Sequence, residues 1–235
     1  MKFIVAKEVF ENLDNVCFGI VVAKGINNKE SMEATQLLKD SIELIETKFK
    51  DKNVKETEEM VYYREAFLKL GINPNKFKSS IEAITTRVAK KKGFPNINPV
   101  VDIGNAVSLK YLVPLGAHDI DTAKEDICLR FSKEGDTFLP FGENELELLG
   151  EDELIYSVGN KVKTRRWIWR QSEQGKITEE SRNIFFPIDG FKDKNYNNVI
   201  DARNELAEIL KKNFNCEIKV GFVDINLSLI HISEP

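Results

Sequence analysis

The chain has 235 residues, of which 31% are charged and 42% hydrophobic, and it carries a formal net charge of −4. That length suits one large domain or two small ones, and that apolar share suits a soluble globule with a core. The balance excludes a surface that is basic overall, so any nucleic-acid contact has to come from a local patch.

Ile20 to Ala23 is apolar and β-branched-rich, and reads as a buried strand. Ser31 is placed to cap a helix running to about Lys50, with Leu37, Leu38, Ile42, Ile45 and Phe49 on one face. A second helix is expected over residues 56–70, with Gly71 where a left-handed C-cap is wanted. Asn73-Pro74 reads as the start of a third helix, Asn as N-cap and Pro in the first turn, burying Phe77, Ile81, Ile84 and Val88. Its end carries Arg87, Lys90, Lys91 and Lys92 before Gly93, where cations suit the helix dipole. Asn98 can cap a fourth helix over residues 100–111, which Pro114 and Gly116 terminate. From Asp126 the pattern changes to short strands at residues 127–131, 137–139, 154–157, 163–171 and 183–188. A helix over residues 199–213 and a strand over 217–223 follow. Helices first and strands later imply an α+β fold: a helix-rich N-terminal half, then mostly β-sheet with one late helix.

Residues 227–235 resemble the translation of a sequencing adapter. They are expected to be a non-native tail on a single domain of residues 1–226, which leaves His231 without a function and the true C-terminus open. The competing reading is a terminal strand, since Leu227, Leu229 and Ile230 could pack.

Cys17, Cys128 and Cys216 are far apart and odd in number, with no CxxC spacing. Neither a disulfide framework nor a zinc site is readable, and the expected state is buried or neutral thiols in a reducing compartment. The N-terminus has no long apolar run and no segment reaches membrane-spanning length, so no membrane partner is expected and the cytoplasm is the default. With His231 set aside, His118 is the only histidine. No metal, no cofactor, no P-loop and no nucleophile elbow is readable.

Three segments could carry chemistry. In the densest, Arg165-Arg166-Trp167-Ile168-Trp169-Arg170-Gln171, strand alternation would put Arg165, Trp167 and Trp169 on one face and Arg166, Ile168 and Arg170 on the other. Guanidinium forks match carboxylates and phosphates, and tryptophan offers a flat wall for stacking. The bland alternative is core tryptophans with carboxylate-paired arginines. In the second segment Asp102 and Asn105 share a helix face ahead of the Pro114 to Asp119 turn, which could form a pocket rim or merely a capped turn. The third, Arg87 with Lys90, Lys91 and Lys92, could hold a phosphate backbone or simply be a solvated helix end.

Taken together, the order of motifs resembles B3/B4 domains, the module of the phenylalanyl-tRNA synthetase β subunit that clears wrongly charged tRNA, and a free-standing branch of that family more closely still. The residues that carry the resemblance are Gly71-Ile72-Asn73-Pro74 with Ser79-Ser80, Asn98-Pro99-Val100-Val101-Asp102 with Ser108-Leu109, Pro114-Leu115-Gly116-Ala117-His118-Asp119, and the Arg165 to Gln171 block. The resemblance implies an amino-acid-sized pocket and hydrolysis of a mischarged ester by a positioned water. It departs at Gly116, where the synthetase carries a histidine. It departs again at Pro187, where the synthetase has an acidic residue that helps recognise the tyrosine hydroxyl, so the tyrosine-specific site is not preserved.

On this reading the protein is a trans-acting hydrolase of mischarged aminoacyl-tRNA. His118, Asp119 and Asn105 are its catalytic candidates, positioning water or the substrate amine. Arg165, Arg166, Trp167, Trp169, Arg170, Gln171 and Gly116 bind substrate, and Arg87, Lys90, Lys91 and Lys92 bind tRNA. The alternatives are a non-enzymatic module for tRNA or a free amino acid, and a small-molecule enzyme reusing the pocket. The direction of the arginines separates them. Convergence with His118 on one pocket favours editing, and burial of each against its own carboxylate favours the binding and structural readings.

Overall fold

The computed structural model describes residues 1–233. Its elements are β1 (Lys2–Val5), α1 (Lys7–Asn12), β2 (Val16–Lys24), α2 (Met32–Lys48), a 3-10 turn (Val54–Glu56), α3 (Glu58–Lys69), α4 (Ser80–Ala89), α5 (Pro99–Tyr111), β3 (His118–Asp119) and β4 (Ile127–Phe131). There follow β5 (Thr137–Phe138), β6 (Glu147–Leu148), β7 (Leu154–Val158), β8 (Lys161–Arg165), β9 (Arg170–Gln171), β10 (Ile184–Phe191), α6 (Tyr196–Phe214), β11 (Glu217–Val223) and β12 (Leu229–His231). The fold is α+β. No helix among the described residues is long and apolar enough to cross a membrane.

Two sheets organise the chain. The larger runs β12-β1-β4-β7-β8-β5-β6, with β9 hanging from β8, and the smaller runs β11-β2-β10-β3. Strands β2 and β10 are buried almost throughout, because each presents apolar groups to both sides. Alternation sends Ile184, Phe186 and Ile188 of β10 to one face, where they pack with Val199, Leu206 and Leu210 of α6 and Val100, Ile103 and Val107 of α5. Phe185 and Phe191 face the other way, into a core shared with Phe3 of β1, Leu129 of β4 and Tyr156 of β7. Pro187 and Asp189 lie on that same face, between the sheets.

Two expected elements differ. The third helix begins at Ser80, not at Asn73-Pro74. The Asn73 side chain accepts from Asn75 N–H at 2.9 Å in a local turn, and Ser79 caps the helix by accepting from Glu82 N–H at 3.3 Å. Phe77 is therefore off the helix. Residues 163–171 are likewise not one strand. The chain leaves β8 at Arg165, turns through Arg166 (φ 46°) and Trp167 (φ 60°), and returns as β9. Two successive left-handed residues are costly for side-chain-bearing positions, and burial of Trp167, which is 0% exposed, holds them. The alternating faces expected for Arg165 to Arg170 therefore do not exist.

Strand β1 and helix α1 are not signalled by the sequence, and residues 227–233, expected to be part of a non-native tail, take part in the fold. β12 pairs antiparallel with β1, Ile230 opposite Phe3, and Ile232 is buried. An edge strand accepts any segment of suitable alternation, so this pairing speaks to fit and not to origin. Glu234 and Pro235 lie outside the described residues.

Candidate functional site

The β8–β9 turn, the middle of β10 and the turn before β3 line a cavity of about 80 Å3. Gly116, His118, Tyr156, Trp167, Trp169, Gln171, Pro187 and Asp189 line it, with Ser80 from the start of α4. Ser80 N–H donates to the Ile168 carbonyl at 2.7 Å, tying the helix to the turn.

Asp189 is the polar centre. It is 2% exposed in an otherwise apolar strand. Its Oδ1 accepts from Tyr156 Oη–H at 2.6 Å and from Trp167 Nε1–H at 2.7 Å. Its Oδ2 takes no hydrogen bond from the described residues. Its carbonyl accepts from Tyr63 Oη–H at 2.8 Å, and Asn195 Nδ2–H donates to that same phenol oxygen at 2.8 Å. Burial pushes the Asp189 carboxyl up to about 7, against the pull of its two hydrogen bonds. The Tyr156 phenol, also buried, is raised well above its ordinary value.

His118 faces the same cavity. It is 4% exposed, and Nδ1 has no hydrogen-bond partner among the described residues. Its ring stacks on Tyr156 with centroids 5.8 Å apart and tilts against Phe185 at 6.2 Å. Burial, with the positive charge of Lys163, lowers it to about 3, so the imidazole is neutral at physiological pH and carries one donor and one acceptor. An unpartnered buried polar atom is costly, and here it belongs to a residue that lines a cavity. Gly116 keeps the rim open: a Cβ there would sit 3.2 Å from Pro187 Cγ and 3.3 Å from His118 Nε2. Gln171 Nε2–H donates to the Ala117 carbonyl at 2.7 Å, fixing β9 against that rim.

The other sequence candidates go elsewhere. Arg165 Nε and Nη2 donate to the two carboxylate oxygens of Glu153 at 2.7 and 3.0 Å, and Nη1 to Glu147 at 2.7 Å. Arg170 lies 3.4 Å from Glu143, and Arg166 3.5 Å from Glu153. Arg166 also lies 3.9 Å over Phe77 and 4.6 Å over Trp169, which meet edge to face at 4.8 Å. Arg165 and Arg166 share Glu153, Arg170 faces Glu143, and none of the three lines the cavity. Asp119 turns away, its Oδ1 accepting from Asp121 N–H at 2.8 Å and its Oδ2 from Ser181 Oγ–H at 2.5 Å. Asn105 sits half-buried on α5, outside the cavity. Asp102 caps the start of α5, accepting from Ile97 N–H and Asn96 Nδ2–H. Arg87 donates to the Gly93 and Lys92 carbonyls, closing the end of α4, and Lys91 lies 4.0 Å from Glu46. Among the described residues no three His, Cys, Asp or Glu side chains come together as a metal site.

So His118, Gly116, Trp167, Trp169 and Gln171 meet at one cavity. Asp119, Asn105 and the arginines do not. Sequence reasoning passed over Asp189 and Tyr156, and named Ser80 only as part of the resemblance. The missed signal was a lone carboxylate in the run Ile184 to Phe191, two residues beyond Pro187 and hence on the same strand face.

The profile of the B3/4 domain family matches residues 62–218, more than half of the chain. A phenylalanine–tRNA ligase β subunit of Idiomarina loihiensis is 31% identical over 100 residues, which are 43% of this chain and 12% of that protein. Its counterpart in Pectobacterium atrosepticum is 30% identical over 95 residues, 40% of this chain and again 12% of the relative. The aligned part is thus a small share of either relative's length. Among solved structures, an N-terminal fragment of the phenylalanyl-tRNA synthetase β subunit from Pyrococcus horikoshii superposes with a TM-score of 0.47 at 12% identity, covering 92% of this chain and 49% of that one.

Proposed function

This chain belongs to the B3/4 domain family, and from that premise we propose that it is a tRNA-related domain whose His118–Asp189 cavity receives part of the aminoacyl group of a charged tRNA. The observation that carries the reading is the presence of two buried titratable side chains at one cavity, His118 with no hydrogen bond to its Nδ1 and Asp189 with none to its Oδ2 among the described residues. Buried groups with displaced pKa values in a concave site are a general mark of function. The volume sets a limit. About 80 Å3 is far below the roughly 300–1,000 Å3 that encloses a whole small-molecule ligand, so a side chain of a few heavy atoms, or the edge of a larger one, is what enters. Carboxylate-paired arginines outside the cavity favour recognition over an arginine-assembled catalytic centre.

Hydrolysis of the ester is the second reading, and one observation favours it. A carboxyl that titrates near 7 is matched to general-base work at neutral pH. In that reaction water oxygen bonds to the ester carbonyl carbon and its proton passes to Asp189. The bond to the ribose oxygen then breaks, and that oxygen takes the proton. Free amino acid and uncharged tRNA leave.

One experiment separates the readings. Purified protein is titrated with charged and uncharged forms of a panel of tRNAs while release of the amino acid is followed. Recognition predicts a preference for at least one charged form that Gly116→Ala, which fills the rim, reduces. Hydrolysis predicts, in addition, release above buffer that Asp189→Asn abolishes. Equal binding of charged and uncharged forms, indifferent to Gly116→Ala, overturns both.

A further inference from the structure

A second concavity lies close along the chain to the aminoacyl cavity and shares no lining residue with it. It lies between the end of α2, the 3-10 turn Val54–Glu56, α3 and α4, and measures about 430 Å3. Its walls carry Lys52, Lys55, Arg64, Lys78 and Lys90 against Asp51 and Glu82. Two of these cancel: Arg64 Nη1–H donates to both Glu82 oxygens, at 2.8 and 3.0 Å, and the Glu82 side chain is 2% exposed. Arg64 is further committed to the Pro74 carbonyl and to Asn75 Oδ1. The four lysines are exposed, and among the described residues none of them has a carboxylate within ion-pair distance. Four ammonium groups around one concavity repel one another and raise a local positive potential, on a chain whose net charge is −4.

The two concavities share one segment. Lys78 lines the basic cleft and Ser80 the aminoacyl cavity, and two residues of chain span at most about 7 Å. Phe77, immediately before them, bears the Arg166 guanidinium at 3.9 Å and closes on Trp169 at the rim of the aminoacyl cavity. We propose that this basic cleft seats the phosphodiester backbone of the RNA whose charged end enters the cavity, with Lys52, Lys55, Lys78 and Lys90 as the phosphate-contacting groups. The proposal rests on the tRNA reading above and adds a binding surface to it. The chemistry of the cleft fits a backbone of repeated single charges. Its free cations are flexible point charges, and its only guanidinium fork, the group suited to bidentate recognition of a carboxylate, is already spent on Glu82. Of the basic helix end singled out by sequence, Lys90 alone lines the cleft.

The test is tRNA binding by fluorescence anisotropy across a salt series, with two fourfold variants of equal charge. One changes Lys52, Lys55, Lys78 and Lys90 to Gln. The other changes Lys29, Lys39, Lys133 and Lys219, exposed lysines outside the cleft, and thermal melting checks that both are folded. Each lost contact to a single strand lowers the dependence of log K on log salt by about 0.7, so the cleft variant loses a slope of about 3 and, at ~0.1 M salt, more than a hundredfold in affinity. The control variant keeps its slope. Equal losses in both variants, or wild-type slope in the cleft variant, overturn the cleft. If the cleft variant binds as wild type while Gly116→Ala still lowers the charged-form preference, the cleft fails and the tRNA reading stands. If the wild-type protein binds no tRNA, both fall.

Discussion

Replacing Asp189 with Asn should change how stability depends on pH, and the sign follows from burial. The carboxyl titrates at about 7 in the folded chain against an ordinary 3.8. Between those values the folded state holds a proton that the unfolded state has lost, so stability falls as pH rises through the window and levels off above 7. From pH 5 to pH 8 this amounts to a loss of roughly 2–3 kcal/mol. His118 works in the opposite sense. Its folded value, about 3 against 6.5, means that the unfolded state binds the proton first as pH falls, and stability drops by about 2 kcal/mol between pH 8 and pH 5. The two nearly offset, so the wild-type protein should show little net dependence from this pair. Asp189→Asn keeps the size of the side chain and an oxygen able to accept from Tyr156 and Trp167, but removes the titration. The variant should therefore gain stability relative to wild type by roughly 2–3 kcal/mol more at pH 8 than at pH 5. Urea unfolding at the two pH values measures it. A difference between variant and wild type that is the same at both would refute a carboxyl held protonated by burial.

Tyr156→Phe removes one of two hydrogen bonds to the carboxylate; it should cost about 1–2 kcal/mol at pH 8 and less at pH 5, where Asp189 is protonated, by urea unfolding. Arg165→Ala breaks a two-point pair with Glu153 in which both side chains are about one-sixth exposed; partial screening puts the expected loss at about 1–3 kcal/mol, with charged-tRNA binding unchanged. Loss of that binding in a stable Arg165→Ala protein would return the arginine to the site. Gly190→Ala sets a Cβ 2.3 Å from Val199 Cγ2 and 2.7 Å from Asn195 Oδ1; separation of β10 from α6 should lower stability by about 3 kcal/mol or more, visible as a fall in melting temperature.

Much of the helical half was legible because its signals are local. Asn98 caps α5 by accepting from Val101 N–H at 3.1 Å, with Pro99 in the first turn, and Ser31 caps α2 from Ala34 N–H at 3.2 Å. The same Asn-Pro pair misled at Asn73, since an Asn side chain serves a turn as readily as a cap. There the competing signal, Ser79 three residues before Glu82, was the better one. The site was less legible because it is made across the chain. Trp167 lies 22 residues from the carboxylate it donates to, and Tyr63 reaches the Asp189 carbonyl across 126. The alternative of core tryptophans with carboxylate-paired arginines holds for Trp167, but alternation alone makes the run Thr164 to Gln171 read as one strand and hides the turn that sends Trp167 inward.

The consequence falls on Asp189. A carboxylate in a strand buried on both sides is a local conflict, tolerated where something compensates for it. Here Tyr156 and Trp167 supply two hydrogen bonds to one oxygen and leave the other free. The left-handed turn at Arg166 and Trp167 aims the indole at that carboxylate. Backbone strain beside a buried titratable group is expected where a site is held ready for a ligand, and the strained turn and the lone carboxylate are two sides of one contact. The Arg-Arg-Trp-x-Trp-Arg-Gln block thus acts in the fold chiefly through its first tryptophan, while its arginines pin the turn from outside through Glu153, Glu147 and Glu143.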